Sequence, residues 1–233
     1  MTPGARIGPA LIAVAVTAAA LVAVTGCGSE PGIDRQAITD ATVRVRADGC
    51  GPRTELGTGT VISDGLVVTA AHVVAGAERV EIVDRLGATI NAAVVAFDPD
   101  LDVAALRPVT DAGTPVALRT ESGRGGEDGL VALVAPDGSV ELVTVDVLQR
   151  VTIETTDIYR DVPVQRRGLR VAVTVAPGDS GAMVHLQGGG VGIVWSRSTA
   201  TSDQAWTVDL PPELLDAPSR RSLVTAVDNG PCR

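Results

Sequence analysis

From about residue 40 onward the sequence is a series of short apolar or alternating runs. ATVRVRA at 41–47, RVEIVD at 79–84 and LRVAVTV at 169–175 are typical, and such runs end at Gly, Pro, Asp or Ser. A period of two between turn residues predicts β-strands. A helical period is weak except in AAHVVAGA at 70–77 and in the C-terminal segment 211–228. The pattern therefore predicts an all-β sandwich or pair of barrels with a short C-terminal helix.

The composition limits both the core and the partners. Hydrophobic residues make up 45% of the chain but aromatic residues only 2%, so the core must consist mostly of Val, Ala, Leu and Ile. The net charge is −9, and no block of basic residues occurs. We therefore expect no nucleic-acid partner. The arginine pairs Arg166-Arg167 and Arg220-Arg221 are expected on the solvated surface.

The N-terminal segment has the pattern of an export signal. MTPGAR carries one positive charge, and residues 7–24 are uncharged and mostly apolar. The tetrapeptide VTGC that ends at Cys27 resembles the bacterial lipobox, whose cysteine is acylated and becomes the first residue of the mature chain. The alternative is an uncleaved single-pass anchor in which Cys27 is an ordinary thiol. Both interpretations place the protein at the outer face of the cell membrane.

This interpretation divides the chain into three parts: a lipoprotein signal peptide over 1–26, a tether over 27–38, and a single domain over 39–233. If Cys27 is acylated, Cys50 and Cys232 remain as an even pair in an oxidising compartment, and we expect them to form a disulfide. That bridge would clamp the C-terminal tail and contribute roughly 5 kcal/mol in the chain-entropy treatment.

Few residues in the chain suit catalysis. His185 alternates with apolar residues and is most simply a strand residue, whereas His72 ends the segment VTAAH, where a β run gives way to a turn. Ser180 stands in GDSG at 178–181, which by itself is also a good turn sequence. The segment FDPDLDVAAL offers three carboxylates between these motifs, at Asp98, Asp100 and Asp102.

The order and spacing of these motifs resemble those of chymotrypsin-fold serine peptidases over most of residues 40–210. A Gly-x-Gly segment, the histidine segment, an Asp-apolar-Ala segment and GDSG follow one another as in bacterial HtrA-like periplasmic proteases. Cys50, just before the Gly-x-Gly strand, and DIYR at 157–160 are similar to the actinobacterial membrane-anchored members. The resemblance implies two six-stranded antiparallel β-barrels. It also implies a serine endopeptidase that cleaves polypeptides through an acyl-enzyme intermediate.

The resemblance also implies a role for each motif residue. Ser180 would be the nucleophile and His72 the general base and acid, because an imidazole can accept the hydroxyl proton at neutral pH. Asp102 would orient the imidazole; it opens an apolar run and matches the family position, whereas Asp98 and Asp100 flank Pro99 and look like turn residues. The amides of Gly178 and Ser180 would form the oxyanion hole.

Two further expectations come from the same resemblance. Asp179 has no new α-amino terminus to bind, so we expect it to pair with Arg166, Arg167 or Arg170, the alternative being that it caps a turn. A substrate pocket is expected from the residues that match the pocket-lining segments of the family, which are Thr174, Val194, Trp195, Ser196 and Arg197. With Thr174 at the pocket base, no carboxylate supports a preference for Arg or Lys.

The remaining motifs indicate neither a metalloprotein nor an esterase. The two histidines lie far apart and no Cys-x-x-Cys occurs, so we expect no metal site and no cofactor. An esterase is disfavoured because GDSGA lacks the second glycine of Gly-x-Ser-x-Gly. A catalytically silent pseudoprotease that binds peptides remains the main alternative. No PDZ domain is evident, and we expect a monomer.

Overall fold

Strands form where the sequence alternates, and they close into two barrels. The computed structural model describes Met1, Thr2, Gly4 and residues 32–233. The first barrel has the order β1-β2-β3-β6-β5-β4 and the second the order β10-β11-β12-β9-β8-β7, with antiparallel neighbours throughout. The predicted all-β fold of two six-stranded barrels is confirmed. Cys27 and the predicted signal peptide, apart from Met1, Thr2 and Gly4, lie outside the described residues.

The strand bounds are β1 Thr42–Gly49, β2 Gly51–Ile62, β3 Leu66–Thr69, β4 Arg79–Val83, β5 Thr89–Asp98, β6 Val103–Pro108, β7 Asp128–Val134, β8 Val140–Thr156, β9 Pro163–Ala172, β10 Met183–Leu186, β11 Gly189–Arg197 and β12 Gln204–Asp209. The helices are α1 Arg35–Ala41, α2 Ala71–Val74, α3 Pro212–Leu215 and α4 Ala217–Ser222. Valine, alanine, isoleucine and leucine fill the two barrel interiors, as the composition requires. Within the described ranges, no helix has the length and hydrophobicity needed to cross a membrane.

Helix α1 overlaps the end of the predicted tether. Asp34 caps the helix, its Oδ1 accepting a hydrogen bond of 3.0 Å from the amide of Ala37. Ile38 on this helix is buried against Leu130 and Ala132 of the second barrel. The polar composition of residues 28–38 did not reveal the helix. Its start depends on the single capping residue Asp34 and its packing on the buried side chains of Ile38 and Ala41, and neither changes the average composition of the segment.

The C-terminal segment forms two short helices rather than the one that we predicted. Pro218 lacks the N–H that a continuous helix would need to bond the carbonyl of Leu214, so α3 ends before it. Asp216 then caps α4 by accepting from the amide of Ser219 at 2.9 Å. After α4 the chain packs on the first barrel, where Val227 N donates to Val94 O at 2.9 Å.

The prediction that both arginine pairs are solvated is wrong for one member of each pair. Arg166 is 2% exposed, because it takes an inward position of the alternation in β9, and Arg220 is 8% exposed. The guanidinium of Arg220 donates to the carbonyls of Leu214 and Leu215 at the end of α3. Arg167 and Arg221 point outward, as expected.

The predicted disulfide between Cys50 and Cys232 is confirmed. It fixes the tail beside the turn that follows α2. The side-chain amide of Asn229 donates to the carbonyls of Val74 and Ala77 at 2.6 and 3.0 Å, and Gly76 N donates to Asn229 O. The tail therefore supports the segment that carries His72.

His185 lies on β10, as predicted, and is 2% exposed. Its Nε2 has no hydrogen-bond partner among the described residues. Burial lowers the pKa of His185 from 6.5 to about 4, since a charged imidazolium would lose its hydration at this buried position.

This burial predicts a loss of stability in mild acid. The unfolded chain takes up a proton at His185 near pH 6.5 and the folded chain only near pH 4, so the contribution is complete above pH 6.5 and is lost as the pH falls toward 4. Urea unfolding at pH 7 and pH 4 should show a decrease for wild type that exceeds that of His185→Leu by about 3 kcal/mol. Equal decreases in the two proteins would contradict the assignment.

Candidate active site

His72 and Asp102 are joined by two side-chain contacts and one backbone bond. The Nδ1 atom of His72 lies 2.8 Å from Oδ2 and 3.0 Å from Oδ1 of Asp102, and the His72 amide donates to Oδ1 at 2.9 Å. A carboxylate can only accept, so Nδ1 carries the hydrogen and Nε2 is left as the acceptor. Asp102 is only 3% exposed, which shields this pair from water.

The turn between β5 and β6 brings Asp102 to the histidine. The Oδ1 atom of Asp98 accepts from the amides of Asp100 and Leu101 at 3.0 and 2.8 Å, which closes the turn. Asp102 follows with φ +63°, a left-handed conformation that is uncommon outside glycine. Of the three candidate aspartates, Asp102 is therefore the one beside His72, and Asp98 shapes the turn.

The loop that carries Ser180 docks onto the first barrel through Thr58. Thr58 N donates to the carbonyl of Ser180 at 2.9 Å, and its hydroxyl donates to the carbonyl of Gly178, also at 2.9 Å. Gly181 has φ +91°, and a Cβ placed there would meet Thr58 O, Thr69 Oγ1 and Ala70 N. The serine loop thus lies against the end of β3, directly before the helix that carries His72.

The structure does not join Ser180 to His72 directly. No hydrogen bond links Ser180 Oγ to the imidazole in residues 32–233. Ser180 lines a cavity of about 190 Å³, and His72 and Asp102 line a neighbouring cavity of about 250 Å³.

Two backbone amides beside Ser180 are free to bind an anion. Gly178 has φ +104°, which its lack of a Cβ permits. Within the described part of the chain, neither the amide of Gly178 nor that of Ser180 donates a hydrogen bond. These are the two amides predicted for the oxyanion hole.

The predicted pairing of Asp179 with Arg166, Arg167 or Arg170 is wrong. Asp179 forms no ion pair in the described residues, and its Oδ2 accepts from the amide of Ala176 at 2.7 Å. The Ala176–Asp179 turn folds the carboxylate back onto its own loop, which is the turn-capping alternative. Burial raises the pKa of Asp179, with the bond from Ala176 acting in the opposite direction.

Arg166 instead lies beside Asp102, a contact that the sequence analysis missed. Its Nη1 is 3.9 Å from Asp102 Oδ2, and its guanidinium carbon is 4.5 Å from the ring centroid of Trp195. The only signal in the sequence was its inward position in the alternation of β9. That position reveals burial but not the partner.

The predicted pocket residues divide between the two cavities. Val194, Ser196 and Arg197 line the cavity of Ser180, whereas Trp195 lines the cavity of His72. Thr174 is exposed and lines neither. In residues 32–233 no group of three His, Cys, Asp or Glu side chains is placed to hold a metal ion.

The docking of the serine loop predicts a difference between two glycines of similar backbone conformation. Gly188 has φ +93°, and a Cβ there would meet only Arg119, at 3.7 Å. We expect Gly188→Ala to lower the free energy of unfolding by about 1–2 kcal/mol, from the left-handed conformation alone. Gly181→Ala should cost a further 1–3 kcal/mol, roughly, because its methyl group overlaps the first barrel. Equal urea midpoints for the two variants would show that the loop does not dock closely.

Comparisons with known proteins agree with this geometry. Residues 57–193, which are 137 of the 233, match the profile of the trypsin-like peptidase domain. Serine protease Rv3671c of Mycobacterium tuberculosis strain H37Rv is 32% identical over 146 residues, covering 61% of this chain and 36% of the relative. Serine protease Do-like HtrA of Lactococcus lactis subsp. cremoris is 28% identical over 152 residues, covering 63% and 37%. The chain thus spans about a third of the length of these relatives.

Solved structures extend the match over most of the described chain. The active form of the Rv3671c protease from M. tuberculosis superposes with a TM-score of 0.76 at 26% identity, covering 84% of this chain and 87% of that one. The HtrA-type protease AlgW with a tripeptide has the same fold, with a TM-score of 0.64 at 18% identity and coverages of 80% and 62%. The resemblance that the motifs indicated is confirmed, and the chain belongs to the trypsin-like peptidase family.

Proposed function

We propose that this protein is a serine endopeptidase in which His72, Asp102 and Ser180 act together. The observation that carries the proposal is the double contact of the His72 imidazole with the buried carboxylate of Asp102. The Ser180 loop is docked against the same end of the first barrel by Thr58. Membership of the trypsin-like peptidase family supports the assignment of these roles.

The proposed acylation step uses Nε2 of His72, which can accept a proton because the hydrogen of the neutral imidazole lies on Nδ1, facing Asp102. Nε2 of His72 accepts the hydroxyl proton of Ser180 as Oγ attacks the carbonyl carbon of the scissile peptide. The negative charge that develops on the carbonyl oxygen accepts hydrogen bonds from the amides of Gly178 and Ser180. Nε2 then gives its proton to the amine of the departing fragment, and the C–N bond breaks, leaving an acyl-enzyme.

Deacylation repeats the same steps with water in place of the serine. Nε2 takes a proton from water as its oxygen attacks the ester carbon, and the proton returns to Ser180 Oγ when the ester bond breaks. Asp102 stabilises the imidazolium in both halves, since it holds Nδ1–H throughout. The missing bond between Ser180 and His72 is consistent with this role, because catalytic hydrogen bonds often tighten only when substrate binds.

The cavity beside Ser180 supports a preference against basic side chains. Two charged residues line this cavity, Asp179 and Arg197. The carboxylate of Asp179 is turned to the amide of Ala176, and Arg197 is exposed. Arg197 forms no ion pair with any residue of the described ranges. A small or acidic substrate side chain therefore suits the cavity better than Lys or Arg.

Labelling with a fluorophosphonate probe tests the proposed function. The full-length, oxidised protein in detergent should be labelled, and Ser180→Ala should abolish the reaction. His72→Ala should slow it by about 10²–10⁴-fold, the usual contribution of a general base. Ser202→Ala removes an exposed serine hydroxyl that lines neither cavity and should leave labelling within about two-fold of wild type, since surface substitutions have small effects.

Two outcomes would contradict the proposal. Labelling that persists in Ser180→Ala would place the nucleophile elsewhere. A folded, oxidised wild type that resists the probe as fully as Ser180→Ala would favour the pseudoprotease, a peptide-binding protein without turnover.

The N-terminal segment supports a proposal about location. We infer that Cys27 is acylated, that residues 1–26 are removed, and that a monomeric protease domain is tethered to the outer face of the cell membrane. Because helix α1 packs on the second barrel, this domain includes α1 and begins before residue 39. VTGC at the end of an apolar segment is the supporting observation.

Mass spectrometry of protein isolated from a bacterial membrane fraction tests this inference. Wild type should begin at Cys27 and carry a diacylglycerol group, whereas Cys27→Ser should retain residues 1–26 and carry no lipid. Cys50→Ser is the matched control for the loss of a thiol and should still be processed and acylated. An unprocessed, unlipidated wild-type chain in the membrane would favour the single-pass anchor instead.

A further inference from the structure

Arg166 is a buried cation at the junction of the two barrels. Its side chain is 3% exposed and that of Asp102, its nearest carboxylate, is 4% exposed. A buried charge is costly unless it is paired and hydrogen-bonded, so the surroundings of this guanidinium must compensate it.

The compensation comes largely from main-chain carbonyls and one aromatic face. Nε of Arg166 donates to Asp100 O at 2.7 Å, and Nη2 donates to Thr156 O at 3.2 Å. The guanidinium also lies over the ring of Trp195 on β11. These contacts hold the planar group in one orientation, which a flexible ammonium could not reproduce.

Arg166 donates to two main-chain carbonyls of the turn that positions Asp102. Asp100 lies two residues before it, and Pro99 O accepts a longer bond from Nη2 at 3.5 Å. Asp102 itself has the strained φ of +63°. Such a conformation costs of order 1–3 kcal/mol and persists only where surrounding contacts hold it.

From this arrangement we propose that Arg166, stacked on Trp195, is a positioning residue that holds Asp102 in the orientation that binds His72. The proposal rests on the proposed function, because it assigns to Arg166 an effect on the triad that we infer. In this proposal the second barrel both carries Ser180 and, through Arg166 on β9, holds the orientation of Asp102 of the first barrel.

The positive charge of Arg166 should also affect His72, through the carboxylate of Asp102. The charged groups around the pair are Asp98, Asp100 and Asp157, which act on Arg166, together with Arg160 and Arg233, which line the cavity of His72. Burial lowers the pKa of Arg166, and Asp102 and the other carboxylates raise it; an arginine in a protein stays protonated. Removing this cation would remove its attraction for the Asp102 carboxylate, which lies 3.9 Å from Nη1, and would so loosen the contact of that carboxylate with His72.

Three variants separate the charge of Arg166 from its geometry. Arg166→Gln removes the charge, Arg166→Lys keeps the charge but loses the planar fork, and Arg167→Gln is the control, because Arg167 is the exposed neighbour on the same strand. All are measured as the full-length, oxidised protein in detergent. Two readouts are used: the rate of fluorophosphonate labelling, and the downfield NMR resonance of the His72 Nδ1–H proton that faces Asp102, which is the signal absent from His72→Ala.

We expect both Arg166 variants to label about 10- to 100-fold more slowly than wild type, because a small displacement of a catalytic group has this effect. In Arg166→Gln the His72 Nδ1–H resonance should move upfield or disappear, because the contact between Nδ1 and Asp102 is loosened. In Arg166→Lys it should change in the same direction. Arg167→Gln should match wild type in both readouts.

Labelling at the wild-type rate by Arg166→Lys would overturn the geometric role, and an unchanged Nδ1–H resonance in Arg166→Gln would overturn the effect of Arg166 on Asp102. If Arg166→Gln does not fold, the labelling rate of Arg166→Lys decides. If wild type itself is not labelled, the proposed function fails separately. The His72 Nδ1–H resonance then still decides whether Arg166 acts on the His72–Asp102 pair.

Discussion

The contact between the Ser180 loop and Thr58 is the constraint on which the candidate site depends. His72 and Asp102 belong to the first barrel and Ser180 to the second, so neither barrel contains the site by itself. Thr58 binds the carbonyls on both sides of Asp179, and Gly181 allows the loop to reach β3 without a side chain in between. Close approach of two backbones, rather than a salt bridge, therefore places the Ser180 loop against the end of β3 that precedes His72.

Burial of charge is the second constraint, and it is met differently at each aspartate. Asp102 has a histidine on one side and Arg166 on the other, so its ionised form is paired. In the described residues the Asp179 side chain accepts a hydrogen bond from the amide of Ala176 and forms no ion pair, and burial raises its pKa although this bond and the charge of Arg44 act in the opposite direction. Because these two carboxylates are held by different partners, the cavity of His72 contains a fixed anion, and the carboxylate in the cavity of Ser180 is turned toward its own loop.

Local patterns in the sequence predicted much of the fold and the central pair of the site. Period-two alternation located many of the strands, and the apolar run after Asp102 favoured it over Asp98 and Asp100. The same patterns gave wrong helix boundaries at places where a single residue starts or ends a helix. Pro218 divides a helix whose other residues suit a single one, and the Asp34 cap begins a helix in a segment that looks like a tether.

The sequence by itself determined the all-β class and the disulfide, and its resemblance to a known family predicted the His72–Asp102 contact, because alternation, cysteine count and motif order can be recognised without any distances. Only the tertiary structure decided the partners of the buried charges. Arg166 and Asp102 are 64 residues apart in the chain and lie on different barrels, so no local pattern links them. The physical reason is that a buried ion selects its partner by distance and desolvation, and both are set only when the two barrels have closed and packed together.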